Sequence, residues 1–561
     1  MKKKEKDKLF ENIPGCAAEF IKLVIKKMRY RKKVRADVQA ELAAHFEDEL
    51  KNCATDQEKE QKAQKLIEDF GDVKLLGILL RRAKKRCRPL WRTIVARTFQ
   101  TIGILILCFI VYVVWFLSGK PVITTDYIAE LNRIVQPVAD ESLNAAPLYE
   151  KALKLYEEKS SDEILDLLGT KYNEATDEQK KLIAKWLEDN KEILDLVIAG
   201  TNKPYYWPKY EEGTAGKEGE GLMGILMPHL SGFRRLAYAL RWRIHLRAEQ
   251  GQYKDAFEDV KSCYCLGRHL MGDKTLIEQL VGIAIRAVAI QTLREVLGEY
   301  EIDSSILATL QKDFEQIIAS EDFVVSLRTE KLCMYDELQR CFTEDRLGEG
   351  HLYLPRLRAL GGPLGGQGEG RESMNKTGME DFLDFLGDAV NVFFKQPNKQ
   401  QTLKAANEYY DYCEQLAVKT AAQFHTESED IDRKLEKFFS NNIFLNLLAP
   451  SLRRVIEISN RLPADIDSTL TVIAILRYKQ DKGNFPESLD ELITAGYLKE
   501  LPMDPWSDKP LIYKRTEDNF ILYSVGLNFK DDGGQVYRDK KGKPQLWHDE
   551  FGDAVFWPVA K

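Results

Sequence analysis

No C-x-x-C pair occurs among the nine cysteines, and the seven histidines are spread over 561 residues. The first absence removes the common redox and zinc spacings, and the second leaves no two histidines at metal-ligand spacing. G-x-S-x-G and H-E-x-x-H are also absent, which removes two hydrolase signatures whose geometry depends on that spacing. The one S-x-x-K, Ser373 to Lys376, runs straight into Lys376-Thr377-Gly378. In the serine enzymes that use both motifs they lie far apart in the chain, so the match reads as chance. Glycine is concentrated in GGPLGGQGEG, from Gly361, and in EEGTAGKEGEG, from Glu211. Neither continues into the Lys-Ser/Thr that a phosphate-binding loop needs. The composition from Leu347 to Gly378 predicts a flexible loop.

Charge is missing from one long stretch. Thr98 to Ser118, TFQTIGILILCFIVYVVWFLS, holds no charged residue, and at about 1.5 Å per residue it is long enough to cross a bilayer core of about 30 Å. Acidic residues are missing just before it: Arg81 to Arg97 carries eight basic residues and no acidic one. The net charge of −6 hides this polarity, because residues 1–97 hold 26 Lys+Arg against 15 Asp+Glu while the remainder is acidic. Positive-inside bias places the N-terminus in the cytoplasm and the C-terminal bulk in the periplasm. Tyr112 and Trp115 stand where interfacial aromatics are expected. A second apolar run, LVGIAIRAVAI from Leu280, contains Arg286 and reads as a buried helix. The basic run is explained by anionic lipid headgroups, and the acidic remainder argues against nucleic acid as a partner.

Five cysteines follow the uncharged stretch, an odd number. Cys333 and Cys341 are eight apart on an expected helix, about 12 Å, beyond the reach of a disulfide. The cysteines are therefore expected as small buried hydrophobes.

Apolar spacing predicts helices over Arg35–Leu50 and on either side of Gly71. The pattern R-x-x-V-x-x-E-L-x-x-H-x-x-D followed by A-x-x-L-I-x-x-F-G-D resembles the cytoplasmic HAAS, or permease-prefix, module. It rests on Glu41, His45, Asp48, Phe70, Gly71 and Asp72, and it implies a regulatory partner in the cytoplasm. Glu41, His45 and Glu49 share a helix face at ligand-like spacing, more commonly a hydrogen-bonded surface than a metal site. Residues 119–460 read as successive helices. AAPLYEKALKLYEE, from Ala145, and the G-x-Y-x-x-A turn at Gly251 are similar to tetratricopeptide hairpins, although no clean 34-residue period runs through the region.

The C-terminal region changes character. A helix from Asp465 is followed by Y-x-x-D-x-G-x-F-P, then GYLKELPMDPW from Gly496, then the strand-like runs LIYKR and NFILYSVG. This order of motifs resembles the globular head of the type II secretion pseudopilins of the major G type. Gly496, Pro502 and Pro505 are expected to bend the chain sharply, and Trp506 and Tyr513 to pin the loop to the sheet. The resemblance implies a calcium ion in the loop after the last main strand, with Asp531, Asp532 and Asp553 as ligands. The chain departs from that family in having no Gly-Phe-x-x-x-Glu before its apolar stretch and some 350 residues between that stretch and the head.

The expected fold is mainly α. A basic helical module (1–97) precedes a single transmembrane helix (98–118), an exterior tetratricopeptide-like helical domain (119–460) with its glycine-rich loop at 347–378, and a small α+β head (461–561). The expected protein is a non-enzymatic, single-pass bacterial inner-membrane scaffold that meets protein partners in the periplasm and is linked to type II secretion or pilus-like systems. The alternative is a membrane-anchored hydrolase with its active site among the exterior helices.

Overall fold

A computed structural model describes residues 9–86, 90–212, 221–225, 227, 229–319, 321, 323–344, 350–360, 398–440, 442–449 and 452–560. The chain forms two compact units, Met1–Trp115 and Phe116–Lys561.

In the first unit, helices α1 (Gly15–Met28), α2 (Lys32–Leu50), α3 (Asp56–Phe70) and α4 (Val73–Arg86) surround a small core. Phe20, Phe46 and Phe70 meet at its centre, with ring centroids 5.7 to 6.2 Å apart. α3 starts at a capping box in which Thr55 and Glu58 satisfy each other's backbone N–H. Gly77 lets α4 approach α1 closely, because a Cβ there would stand 3.2 Å from backbone atoms of Val24 and Met28. The ligand-like row on α2 is spent elsewhere: Glu41 pairs with Lys84 at 2.6 Å, Glu49 faces Lys62 at 3.8 Å, and His45 sits edge-on to Phe70.

α5 (Leu90–Leu117) contains all of the uncharged stretch but Ser118. Its segment Ile94–Phe116 is long and apolar enough to cross a membrane, and only 6% of its apolar window is buried. Leu276–Glu299 passes the same test of length and composition, but 61% of its window is buried.

The second unit continues through α6 (Tyr127–Val135), α7 (Ala146–Lys159), α8 (Asp162–Gly169), α9 (Asp177–Asp189), α10 (Lys191–Thr201), α11 (His229–Glu249), α12 (Tyr253–Arg268), α13 (Leu276–Glu299), α14 (Ser304–Ile318) and α15 (Arg328–Cys341). The turn between α11 and α12 passes through Gly251, whose φ of 72° explains glycine there. Next come α16 (Leu354–Ala359), α17 (Lys399–Ala417), α18 (Ala421–Thr426), α19 (Ser428–Ser440), α20 (Ile443–Leu448), α21 (Leu452–Lys482) and α22 (Leu489–Thr494). Within the expected flexible loop, residues 350–360 include α16. Residues 347–349 and 361–378, with Ser373 and Lys376, lie outside the described residues, as do residues 213–220 of the shorter glycine stretch. Cys333 and Cys341 share α15, and all described cysteines are free.

The strands come last. β1 (Met503–Asp504) pairs with β2 (Lys509–Pro510), β3 (Ile512–Arg515) with β4 (Phe520–Ser524), and β5 (Tyr537–Arg538) with β6 (Pro544–Gln545). β7 (Ala554–Trp557) completes an antiparallel sheet in the order β3-β4-β7. Register runs from Ile512 opposite Tyr523 to Arg515 opposite Phe520, with an irregularity between Leu522 and Tyr523 on the β7 side. The expected boundary at 461 falls inside α21, which runs on through Pro463. One hydrophobic core extends from Ala145 to Trp557 and includes both helices and sheet.

Arg294 of α13 joins these parts. Its guanidinium donates to the Asp465 carboxylate at 3.1 Å, to the Asp465 carbonyl at 3.1 Å and to Thr469 Oγ1 at 2.9 Å. It also lies 5.4 Å from the centre of the Phe556 ring on β7. A buried charge is tolerated only when paired and hydrogen-bonded, and here the partners come from α21.

Further along α21, burial, with Glu500 adding to it, pushes the Asp467 carboxyl up to about 6. A carboxyl raised above its unfolded value of about 3.9 favours folding below that value, and the contribution is lost as pH rises through about 6. Asp467→Asn should therefore stabilise the protein at pH 7 by about 1–2 kcal/mol, allowing for the side chain's partial contact with water. The gain should vanish near pH 4, as read by urea unfolding of the 119–561 region at the two pH values.

Candidate functional site

The Leu-Pro-x-Asp-Pro-Trp segment is organised by its aspartate, Asp504. Asp504 is 1% exposed, and its carboxylate accepts from Trp506 N (3.0 Å), Ser507 Oγ (3.0 Å), Ser524 Oγ (2.7 Å) and Val525 N (3.1 Å). Two donors come from its own turn and two from the end of β4, so one carboxylate ties the loop to the sheet. Gly496 takes φ 78°, as its expected bend requires. Tyr513 donates to the Pro486 carbonyl at 2.7 Å and lies against Phe520.

Trp506 is held by this turn and is buried. Its ring packs 4.5 Å from Trp547, which lies 5.9 Å from Phe556 of the sheet. On its other side the loop meets helices: Ala422 N of α18 donates to the Pro505 carbonyl at 2.8 Å. Between α18, α21 and these loops lies a cavity of about 180 Å³. Phe424, His425, Arg453, Glu457, Trp506 and Phe529 contribute to its wall. His425 stacks on Phe529 at 3.9 Å, and the Arg453 guanidinium lies over Phe424 at 5.4 Å. Trp506 Nε1 is buried with no hydrogen-bond partner. Phe529 has φ 58°, a left-handed conformation that an aromatic residue seldom takes.

The three aspartates expected to hold calcium are brought together from two segments, Asp531 and Asp532 after β4 and Asp553 just before β7. Asp553 accepts from Asp532 N at 3.1 Å and from Gly534 N at 2.6 Å. Asp532 accepts from the Asn528 side chain and Gly552 N, both at 2.8 Å. Asp531 accepts from Tyr523 Oη at 2.8 Å and Gly533 N at 2.9 Å. Burial first, then the nearby Asp531 and Asp532, push the Asp553 carboxyl up against the pull of its backbone donors. The Gly533 N–H and then Tyr523 hold Asp531 below the usual carboxylate range. The carboxylates are thus close but occupied by donors, and among the described residues no three His, Cys, Asp or Glu side chains are arranged to hold a metal ion.

A second polar centre lies where α13 begins. Glu278 is fully buried and accepts from Tyr210 Oη and Thr275 Oγ1, each at 2.7 Å. His229 Nε2 stands 3.5 Å from its other oxygen, longer than an ordinary hydrogen bond. Burial works to raise the Glu278 carboxyl, and these partners outweigh it. Burial pushes the neighbouring Lys274 ammonium down to about 8. The residues of this centre come from positions 210 to 278, with no spacing that marks them in sequence.

No family model, curated protein or solved structure matches the chain.

Asp504→Asn should destabilise the protein by about 3 kcal/mol, because it replaces a charged acceptor of four bonds with a neutral amide carrying its own donors. Thermal unfolding checks this, and Asp508→Asn, at the exposed end of the same turn, should stay near wild type.

Proposed function

We propose that the chain is a single-pass bacterial inner-membrane protein that acts as an interaction scaffold in the cell envelope. The observation that carries this reading is α5: its residues 98–115 carry no charge and are exposed over most of that length, and they follow a run of eight basic residues without an acidic one. Exposed apolar side chains of this length need a nonaqueous surrounding. Leu276–Glu299, in contrast, finds its apolar surroundings inside the protein. In this reading the first unit is a HAAS-like cytoplasmic docking element. The exterior helices form a tetratricopeptide-like platform, and the residues from Asp465 form a pseudopilin-like head that meets protein partners in the periplasm. The helical hairpins and the antiparallel sheet packed on α21 support it.

The second reading, a membrane-anchored hydrolase, draws its support from the Glu278 centre, where a carboxylate, a histidine and a buried lysine converge. Its hydroxyl group, Thr275 Oγ1, donates to Glu278, an arrangement that caps α13 and needs no substrate.

Reporter fusions test the topology. A fusion after Lys85 should report from the cytoplasm and one after Gly200 from the periplasm; cytoplasmic signal at both positions rules this topology out.

Calcium belongs to the same proposal. Crowded carboxylates favour a cation that exchanges their backbone donors for oxygen coordination. Calcium at a hundred times its dissociation constant should stabilise the 119–561 region by about 2.7 kcal/mol. Magnesium should do less, and an Asp532→Asn, Asp553→Asn double variant should lose the shift. Superimposable melting curves with calcium and with chelator would remove the ion from the account.

A further inference from the structure

We propose that α4 lies on the cytoplasmic surface of the membrane. Leu75, Ile78 and Leu79 enter the boundary between headgroups and acyl chains, and Arg82, Lys85 and Arg86 meet anionic lipid headgroups. This inference rests on the reading of α5 as a membrane-spanning helix and extends it to the helix before.

One side of α4 is accounted for. Gly77 stands against the backbone of α1 at Val24 and Met28. Val73, Leu76 and Leu80 pack on the core of the first unit, and Lys84 pairs with Glu41 of α2 at 2.6 Å. The other side is open. At 3.6 residues per turn, Leu75 and Leu79 point away from Gly77, and they are 57% and 51% exposed. Ile78 beside them is 38% exposed. Arg82 and Arg86 continue the same row, Lys85 follows Ile78 two turns on, and all three are exposed. No acidic residue occurs from Val73 to Arg86. A surface helix in water turns its polar face outward and its apolar face to the core. Here aliphatic side chains also stand on the outer face, ringed by positive charge only.

Charge assigns this face to lipid. Lys and Arg beside exposed Leu and Ile are the composition of helices that lie in a bilayer interface, and the cytoplasmic leaflet is anionic. Position gives the second argument. α4 ends at Arg86 and α5 begins at Leu90, and the chain between them reaches at most about 14 Å. The basic end of α4 therefore stays beside the helix that enters the bilayer. A surface tethered this closely outcompetes a partner that must arrive from solution. Area gives the third. Three aliphatic side chains are few for a stable protein interface, which covers about 800 Å² on each partner. They suffice for a contact that α5 already holds in place. Because α4 is packed on α1 through Gly77, this contact also fixes which way the cytoplasmic module faces.

The test is photocrosslinking of the full-length protein in nanodiscs of phosphatidylcholine, with or without phosphatidylglycerol, read by mass spectrometry. The photoreactive benzoylphenylalanine replaces one exposed side chain at a time. Leu79→benzoylphenylalanine should give a lipid adduct, in roughly threefold higher yield when phosphatidylglycerol is present. Arg82→Gln, Lys85→Gln and Arg86→Gln together should remove that gain. Gln64→benzoylphenylalanine, exposed on α3, should give far less adduct. Leu105→benzoylphenylalanine in α5 separates the two readings. No lipid adduct at 105 overturns the membrane-spanning reading and this inference with it. An adduct at 105 with none at 79 overturns this inference alone. Equal lipid yield at 64 and 79, a yield at 79 indifferent to phosphatidylglycerol, or a gain that survives the triple variant also overturns it. So does a crosslinked dimer of the chain at 79 in place of lipid. Irradiated in whole cells, the Leu79 variant should again capture lipid, and capture of another protein instead overturns the inference.

Discussion

One guanidinium decides how the larger unit holds together. Arg294 is buried on α13, and almost everything that makes its charge tolerable belongs to the first turns after Pro463 in α21: a carboxylate, a carbonyl and a hydroxyl. The Phe556 ring covers it from the sheet. Removing α21 would leave an unpaired buried cation, a far larger penalty than the pair contributes when intact. The helical part and the strands are therefore joined by an electrostatic necessity as well as by apolar area. The long core that passes from α7 to β7 follows from that union.

A second carboxylate works at shorter range. Asp504 gathers four donors within one turn and the neighbouring strand end, which fixes where Trp506 stands. Trp506 then closes one wall of the cavity, while α18 and α21 close the other. The two buried acids divide the work: Asp465 sets the helix against the body, and Asp504 sets the loop against the sheet. The Asp531–Asp553 loop lies beyond them and satisfies its own carboxylates with backbone N–H groups.

Much of the helical content was legible because it is written in local spacing. The helix expected from Arg35 spans Lys32–Leu50, and the one expected from Ala145 spans Ala146–Lys159. The strand pair around the Thr-Glu-Asp turn was equally visible, since alternation and turn chemistry are short-range signals. The burial of Trp506 followed from its size and its neighbouring prolines. Other features were not legible. The boundary expected at 461 falls inside α21, which continues through Pro463 because packing on both sides of the helix outweighs the lost hydrogen bond. Nothing local marks Asp504, because two of its donors lie about twenty positions away. The cavity draws its wall from α18, α21 and loops after β1 and β4, so no window of sequence contains it. The Glu278 centre is hidden for the same reason, since Tyr210, His229 and Glu278 come from a loop, the start of α11 and the start of α13.

α21 has a consequence for how this region can change over generations. Its 31 residues carry one set of side chains toward α13 and α14 and another toward the strands. A substitution that suits one partner is judged by the other as well. Exchange of the C-terminal hundred residues as a cassette would cut through this helix and orphan both faces. The head is thus heritable only together with the helices that receive it, and the two parts must drift as a single lineage.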